Sequence, residues 1–171
     1  VYTGEHALIF LVGWEVAALS AWLLVIWDYT DRKVRFAGFN YLVSTHIGLI
    51  FLVAAFMILY TPAGSWFLES YGQWLARSPG TERNLVFLLV VISFGLKSAF
   101  FPFHSWLPRA HAAAPAHVSA LMSGVIHKAG LYALLRFILL IGKPDEWMGW
   151  FLLVFSACSA VVGALDTVGP R

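Results

Sequence analysis

Lys97 and Lys128 each lie deep within a long apolar stretch, and Glu15 lies within another. An ionised side chain at the centre of a membrane helix costs roughly 2.5 kcal/mol or more, and those that persist mark ion or proton pathways. A carboxylate beside an amine holds the amine charged. Once the two separate, burial penalises both charges and a proton can leave. These residue types therefore allow reversible protonation coupled to charge separation. Blander readings stay open: Glu15 as a carboxylate close to an interface, and either lysine with its stem extended toward the headgroups. Three charged groups at depth point to a charged pathway, without specifying the ion.

Pro102 follows Lys97 closely. It has no N–H, and its ring clashes with the carbonyl four residues back, that of Ser98, so the helix is expected to kink or break at Pro102. Irregular backbone at membrane depth is tolerated only inside protein or beside a water-filled cavity. The break and the lysine thus point to one hydrated site.

The histidines add candidates. Ser119, Ser123 and His127 recur at steps of four, on one helix face. They could form a proton wire, or a small-residue packing face with one satisfied histidine. His46 lies deep in another apolar stretch and is a candidate for the same path. His104 and His111 flank the broken region and could carry protons in from solvent, or could simply be polar connection residues. The histidines are scattered without metal-ligand spacing. The chain shows no Gly-rich nucleotide loop and no haem or iron–sulfur signature. No cofactor or metal is expected within it.

The elements that must position these groups are membrane helices. Of the 171 residues, 60% are hydrophobic and only 12% charged, against about 25% charged in soluble domains. Eight Trp and fourteen Phe suit a lipid-facing protein with aromatic belts. The net charge of +2, without a basic patch, gives no footing for nucleic acid. The single Cys158 cannot build a disulfide or a cysteine metal site within the chain.

About five spanning segments are expected, at 6–27, 39–60, 85–107, 116–141 and 147–165. Each is near the ~20 residues that a bilayer requires. A polar turn is expected at 28–35, and a longer connection at 61–83 whose WFLESYGQWLA portion could lie in the interface as a short amphipathic helix. FPFHSWL reads as a separate helical piece, followed by a connection between Pro108 and Pro115. Lys143–Glu146 is expected as a turn, and 166–171 as an exit. Arg32, Lys33, Arg35, Arg109 and Arg171 fall on one side, and Arg77, Arg83 and Lys143 on the other. The positive-inside rule puts the first group in the cytoplasm and the N-terminus outside. The chain opens on Val1 without a signal-peptide pattern, and an internal piece of a longer protein is expected.

The run GLKSAFFPFHSWLPRAHAAAPAHVSALMSG, with HKAGLYALLRF after it, closely resembles the proton-translocating, antiporter-like subunits of the complex I superfamily. That group takes in membrane subunits of NADH:quinone oxidoreductase, of multi-subunit sodium/proton antiporters and of membrane-bound hydrogenases. The wording looks most like the branch of formate hydrogenlyase subunit 3 and its hydrogenase 4 counterpart. The resemblance is dense from Gly95 to Phe137, and GWEVAALSAWLLV extends it to Glu15. It implies that Glu15 matches the family's glutamate on its fifth helix, Lys97 the lysine on the broken seventh and Lys128 the lysine on the eighth. It also implies about fourteen helices in two inverted repeats, of which this chain would cover the fifth to ninth.

The expectation is an all-α, polytopic transmembrane bundle with one Pro-broken helix, residues 1–171 forming a single transmembrane domain. Its expected function is proton translocation in a redox-driven complex of a bacterial or archaeal cytoplasmic membrane, through Glu15, Lys97, Lys128, His127, His104 and His46. The resemblance implies nickel–iron, iron–sulfur or flavin centres in partner subunits, and other membrane and peripheral subunits together with lipid as partners. The alternatives are a sodium/proton antiporter subunit of the Mrp type without a redox partner, a solute transporter binding an anion at the broken helix, and a purely structural subunit.

Overall fold

The structure, a computed structural model, describes residues 4–78, 80–142 and 144–168. Lys143 and Arg171, used above for sidedness, lie outside the described residues, as does the end of the expected exit. The elements are α1 (Ala7–Val25), α2 (Arg32–Ala63), α3 (Leu68–Leu75), α4 (Gly80–Lys97), a 3₁₀ turn (Phe103–Trp106), α5 (Leu107–Ala113), α6 (Ala116–Leu121), a π turn (Met122–Ile126), α7 (His127–Ile141) and α8 (Glu146–Val168). Among the described residues, four helices are long and apolar enough to cross a membrane: α1, α2, the continuous run Ala116–Ile141, and the Glu146–Leu165 part of α8. The remaining expected span, 85–107, is divided. Its first part is α4, 18 residues long, and its second is the 3₁₀ turn and the start of α5.

Two boundaries differ from the sequence reading for local reasons. α2 begins inside the expected polar turn because the Asp31 side chain accepts the Lys33 N–H and caps the helix. It then runs 32 residues, through Pro62, and stops at Gly64, whose φ of +63° suits a residue without a β-carbon. The expected connection between Pro108 and Pro115 is mostly helical. Pro108 sits in the first turn of α5, where a missing N–H costs nothing, and Pro115 precedes α6.

α3 is a short amphipathic helix, as expected. Leu68, Tyr71 and Leu75 are buried while Glu69 and Gln73 face outward. Backbone hydrogen bonds from Ala7 to Trp66 (2.7 Å) and from Leu68 to Glu5 (2.8 Å) tie its start to the start of α1.

Packing centres on α2, whose most extensive partner is α4, with α1 on α2 and α4 on α7 next. One buried cluster joins α1, α2, α3, α4 and α7 through Phe10, Trp14, Phe56, Tyr71, Phe87, Phe94 and Phe137. A second joins the far ends of α1 and α2 to the 3₁₀ turn, α5, α6 and the π turn through Val25, Tyr41, Trp106, Ala110, Val118 and Met122. The broken segment runs from the first cluster to the second. α8 is mostly exposed. It is held by Phe155 against Phe100, by the Phe101 N–H donating to Ser159 Oγ (3.0 Å), and by Arg83 Nη2 donating to both carboxylate oxygens of Asp145 (2.6 and 2.7 Å).

Candidate functional site

α4 ends on Lys97, so the break lies at 98–102 and Pro102 stands at its far end rather than at its start. The reason is local. Ala99 takes a left-handed conformation (φ +53°), which a helix cannot continue. The Phe100 N–H returns to Gly95 O (2.9 Å), and the Trp106 indole N–H reaches back to Leu96 O (3.0 Å). The carbonyl beside Lys97 that a side chain satisfies is therefore that of Leu96, on the lysine's other side from Ser98.

Lys97 is 3% exposed. Its Nζ makes no hydrogen bond and lies 5.0 Å from the centroid of the Trp14 ring. Glu15 follows Trp14 on α1. Its Oε1 is 3.1 Å from Nε2 of His46 on α2, and its Oε2 is buried without a hydrogen-bond partner. Glu15 and Lys97 make no direct ion pair, yet each lies in the other's electrostatic field. His46 Nδ1 contacts the Leu42 carbonyl at 2.9 Å.

Aromatic and imidazole side chains gather at the same end of α4. Trp106 lies between Tyr41 (5.0 Å between ring centroids) and His127 (5.4 Å). His127 is 5.7 Å from His111, whose Nδ1 is hydrogen-bonded to the Ser119 hydroxyl. Ser98 Oγ donates to the His127 carbonyl (3.3 Å). Tyr41 Oη, Ser93 Oγ and His127 Nε2 are buried and make no hydrogen bond within the protein, like Lys97 Nζ and Glu15 Oε2. Buried polar groups are nearly always satisfied, by protein or by ordered water, so a concentration of unspent capacity is a feature of the site.

The structure thus brings Glu15, His46, Lys97 and His127 into one region, and leaves two candidates outside it. Lys128 lies on the exposed face of α7, one residue and about 100° round the helix from His127. His104 lies on the α8 side of the break, in a cavity of about 200 Å³ that it lines with Ala99, Phe101, Leu107 and Ser159. The Ser119–Ser123–His127 ladder also changes. The π turn, in which the His127 N–H bonds back to Met122 O, inserts one residue. Ser119 and His127 consequently both face His111, and Ser123 is exposed.

Tyr41, Ser93 and Trp106 were not among the residues expected at the site. Tyr41 and Thr45, four apart on the buried face of a largely apolar α2, carried a signal that the sequence offered. Ser93, one turn before Lys97, carried another. A larger cavity of about 630 Å³ separates the α1–α2 turn from α5, with Asp28, Asp31, Lys33 and Arg109 in its wall, and the Arg109 guanidinium lies 5.5 Å from the Phe36 ring centroid.

A bundle whose interrupted helix ends on a buried lysine, with a carboxylate of a neighbouring helix in its electrostatic field, is a membrane protein of the broken-helix class. The family described as "NADH:quinone oxidoreductase/Mrp antiporter, TM" matches residues 5–169, and the chain belongs to it. It is 38% identical to Hydrogenase-4 component B of Escherichia coli (strain K12) over 171 residues, 98% of this chain and 25% of that protein. It is 30% identical to NAD(P)H-quinone oxidoreductase chain 4 2 of Thermosynechococcus vestitus, over 100% of this chain and 32% of that one. A putative antiporter subunit, mnhA2, of Staphylococcus saprophyticus is 30% identical over 94% of this chain and 21% of its own length. The fold is shared with a chain of the membrane-bound sulfane sulfur reductase, an archaeal respiratory membrane complex (TM-score 0.78, 23% identity, 87% of this chain and 30% of that one). The chain is an integral, multi-pass membrane protein, and it spans about a fifth to a third of the length of these relatives.

Proposed function

We propose that this chain is the proton-handling core of an antiporter-like subunit in a redox-driven membrane complex of the hydrogenase or quinone-reductase type. The observation that carries the reading is Lys97. It ends an interrupted membrane helix, is buried, has no hydrogen-bond partner on Nζ, and lies in the field of Glu15. A lysine in such a place is maintained at a cost that packing does not explain, since an apolar residue would fill the space without the penalty.

Glu15, Lys97 and His127 form the centre of the path, with His46 beside the acid. The His111–Ser119 pair leads from His127 toward the α5–α6 connection. Lys128 hands on to helices of the longer subunit, and His104 serves the α8 side. Electron-transfer centres, whether nickel–iron, iron–sulfur or flavin, belong to partner subunits in this reading. The chain's share is protonation and charge displacement.

The test is Lys97→Met in the full-length subunit within its complex, assayed in sealed vesicles. Assembly and electron transfer are expected to persist while proton movement falls by about a hundredfold or more. Normal pumping by the assembled variant would reject the role. The similarity to the putative antiporter subunit supports a second reading, sodium/proton exchange without a redox partner. Native gels stained for hydrogen- and NADH-dependent dye reduction separate the two. Neither activity in an intact complex, with sodium-dependent proton movement, favours the exchanger.

A further inference from the structure

The contact between Glu15 and His46 has a protonation content that follows from its geometry. A carbonyl oxygen only accepts, so His46 Nδ1 carries its hydrogen and donates it to Leu42 O across 2.9 Å. The other ring nitrogen, Nε2, lies 3.1 Å from Glu15 Oε1. A bare lone pair and a carboxylate oxygen do not hold that separation, so one proton lies between them. Either the neutral acid donates to imidazole, or imidazolium donates to carboxylate. In both forms the pair has no net charge. Glu15 is engaged by His46, and Lys97 Nζ is left buried without a hydrogen bond.

A second arrangement has the same proton count. With Glu15 ionised beside a charged Lys97 and His46 neutral, the three groups again sum to zero. The two arrangements differ by one proton moved from Lys97 to the Glu15–His46 pair. Neither creates an uncompensated charge in the bundle, which is the costly event at membrane depth.

We infer that Glu15 carries a proton between Lys97 and His46, so that His46 is the group that receives what Lys97 releases. The inference rests on the proton-handling reading above. An N–H bond of Lys97 breaks, an O–H bond forms on Glu15, and Lys97 is left as the neutral amine. The carboxyl then donates to His46 Nε2, whose ring is already fixed by Leu42. Glu15 has the means to serve both sides: Oε1 is on His46, while Oε2 is buried and uncommitted. Tyr41 of α2 also lies in the field of the acid.

The experiment uses the full-length subunit in its membrane complex, with vibrational difference spectroscopy during turnover. Bands of Glu15 are assigned by their loss in Glu15→Gln. In His46→Leu the acid has only Lys97 to pair with. Its bands are expected to become those of a permanent carboxylate, and proton movement to fall by about tenfold or more. His46→Gln still offers a donor to Glu15 but cannot take up a proton, so it too is expected to be slow. Unchanged Glu15 bands in His46→Leu, or native pumping by either assembled variant, overturns the inference. Lys97→Met run in parallel separates the two levels. If it is silent while the His46 variants pump normally, only the present inference fails. If Lys97→Met itself pumps normally, the underlying reading has failed.

Discussion

Gly130 of α7 presses against Lys97 at the end of α4. A β-carbon on Gly130 would lie 3.2 Å from Lys97 Cβ and 3.2 Å from the Phe94 carbonyl oxygen, and closer still to Ser98 Oγ. The absent side chain is what lets α7 approach the last turn before the break, as small residues do between membrane helices. It also sets the α7 backbone directly against the first carbon of the lysine's stem.

Gly130→Ala is therefore expected to push α7 from the break and cost the protein about 1–3 kcal/mol of stability. A lower melting temperature of the solubilised complex, with reduced proton movement, is the expected outcome. Adding Ser98→Ala removes the atom most crowded by the new methyl group and should restore part of the stability. A double variant no better than the single one would mean that the backbone contact dominates.

Trp106→Phe should keep the ring packed against Tyr41 and His127 while deleting the donor to Leu96 O. An orphaned buried carbonyl costs about 1–3 kcal/mol. The loss is expected where it can be seen by hydrogen exchange, as faster exchange in the last turn of α4 and through 98–103. Protection equal to the native protein would show that the indole bond does not hold the break.

Lys128→Met separates the exposed lysine from the buried one. It is expected to slow proton movement while leaving the Glu15 vibrational bands where they are, because Lys128 faces away from Lys97 and Glu15. A shift in those bands would place Lys128 in contact with the acid during turnover.

Apolar length and the buried charges made most of this fold legible. α1 and the helical run 116–141 fall close to where hydropathy puts them, and the amphipathic spacing of Leu68, Tyr71 and Leu75 marks α3. The start of α2 was mislaid because its first turn, Arg32 to Arg35, is charged; the Asp31 cap was the local signal. The place of the break depends on Ala99 adopting a conformation that an alanine does not advertise, and on Trp106 reaching back ten residues. The pairing of Glu15 with His46 is a matter of register between α1 and α2, which no spacing within either helix encodes. That Lys128 and His127 face apart was available in principle, since adjacent residues on a helix never share a face.

The π turn at Met122–Ile126 leaves one residue of slack in an otherwise continuous helix. Such slack is not pinned to its position: exchanging one i−5 hydrogen bond for an i−4 bond moves it along by a residue. Each such step turns the residue that the π turn passes by about 100°, while both helix ends stay anchored. A few steps toward the N-terminus would carry it past Ser119 and swing that hydroxyl off His111. The helix that carries His127 thus contains the equivalent of a click-stop, through which the link between the α5–α6 connection and the buried site can be joined or parted without unfolding anything.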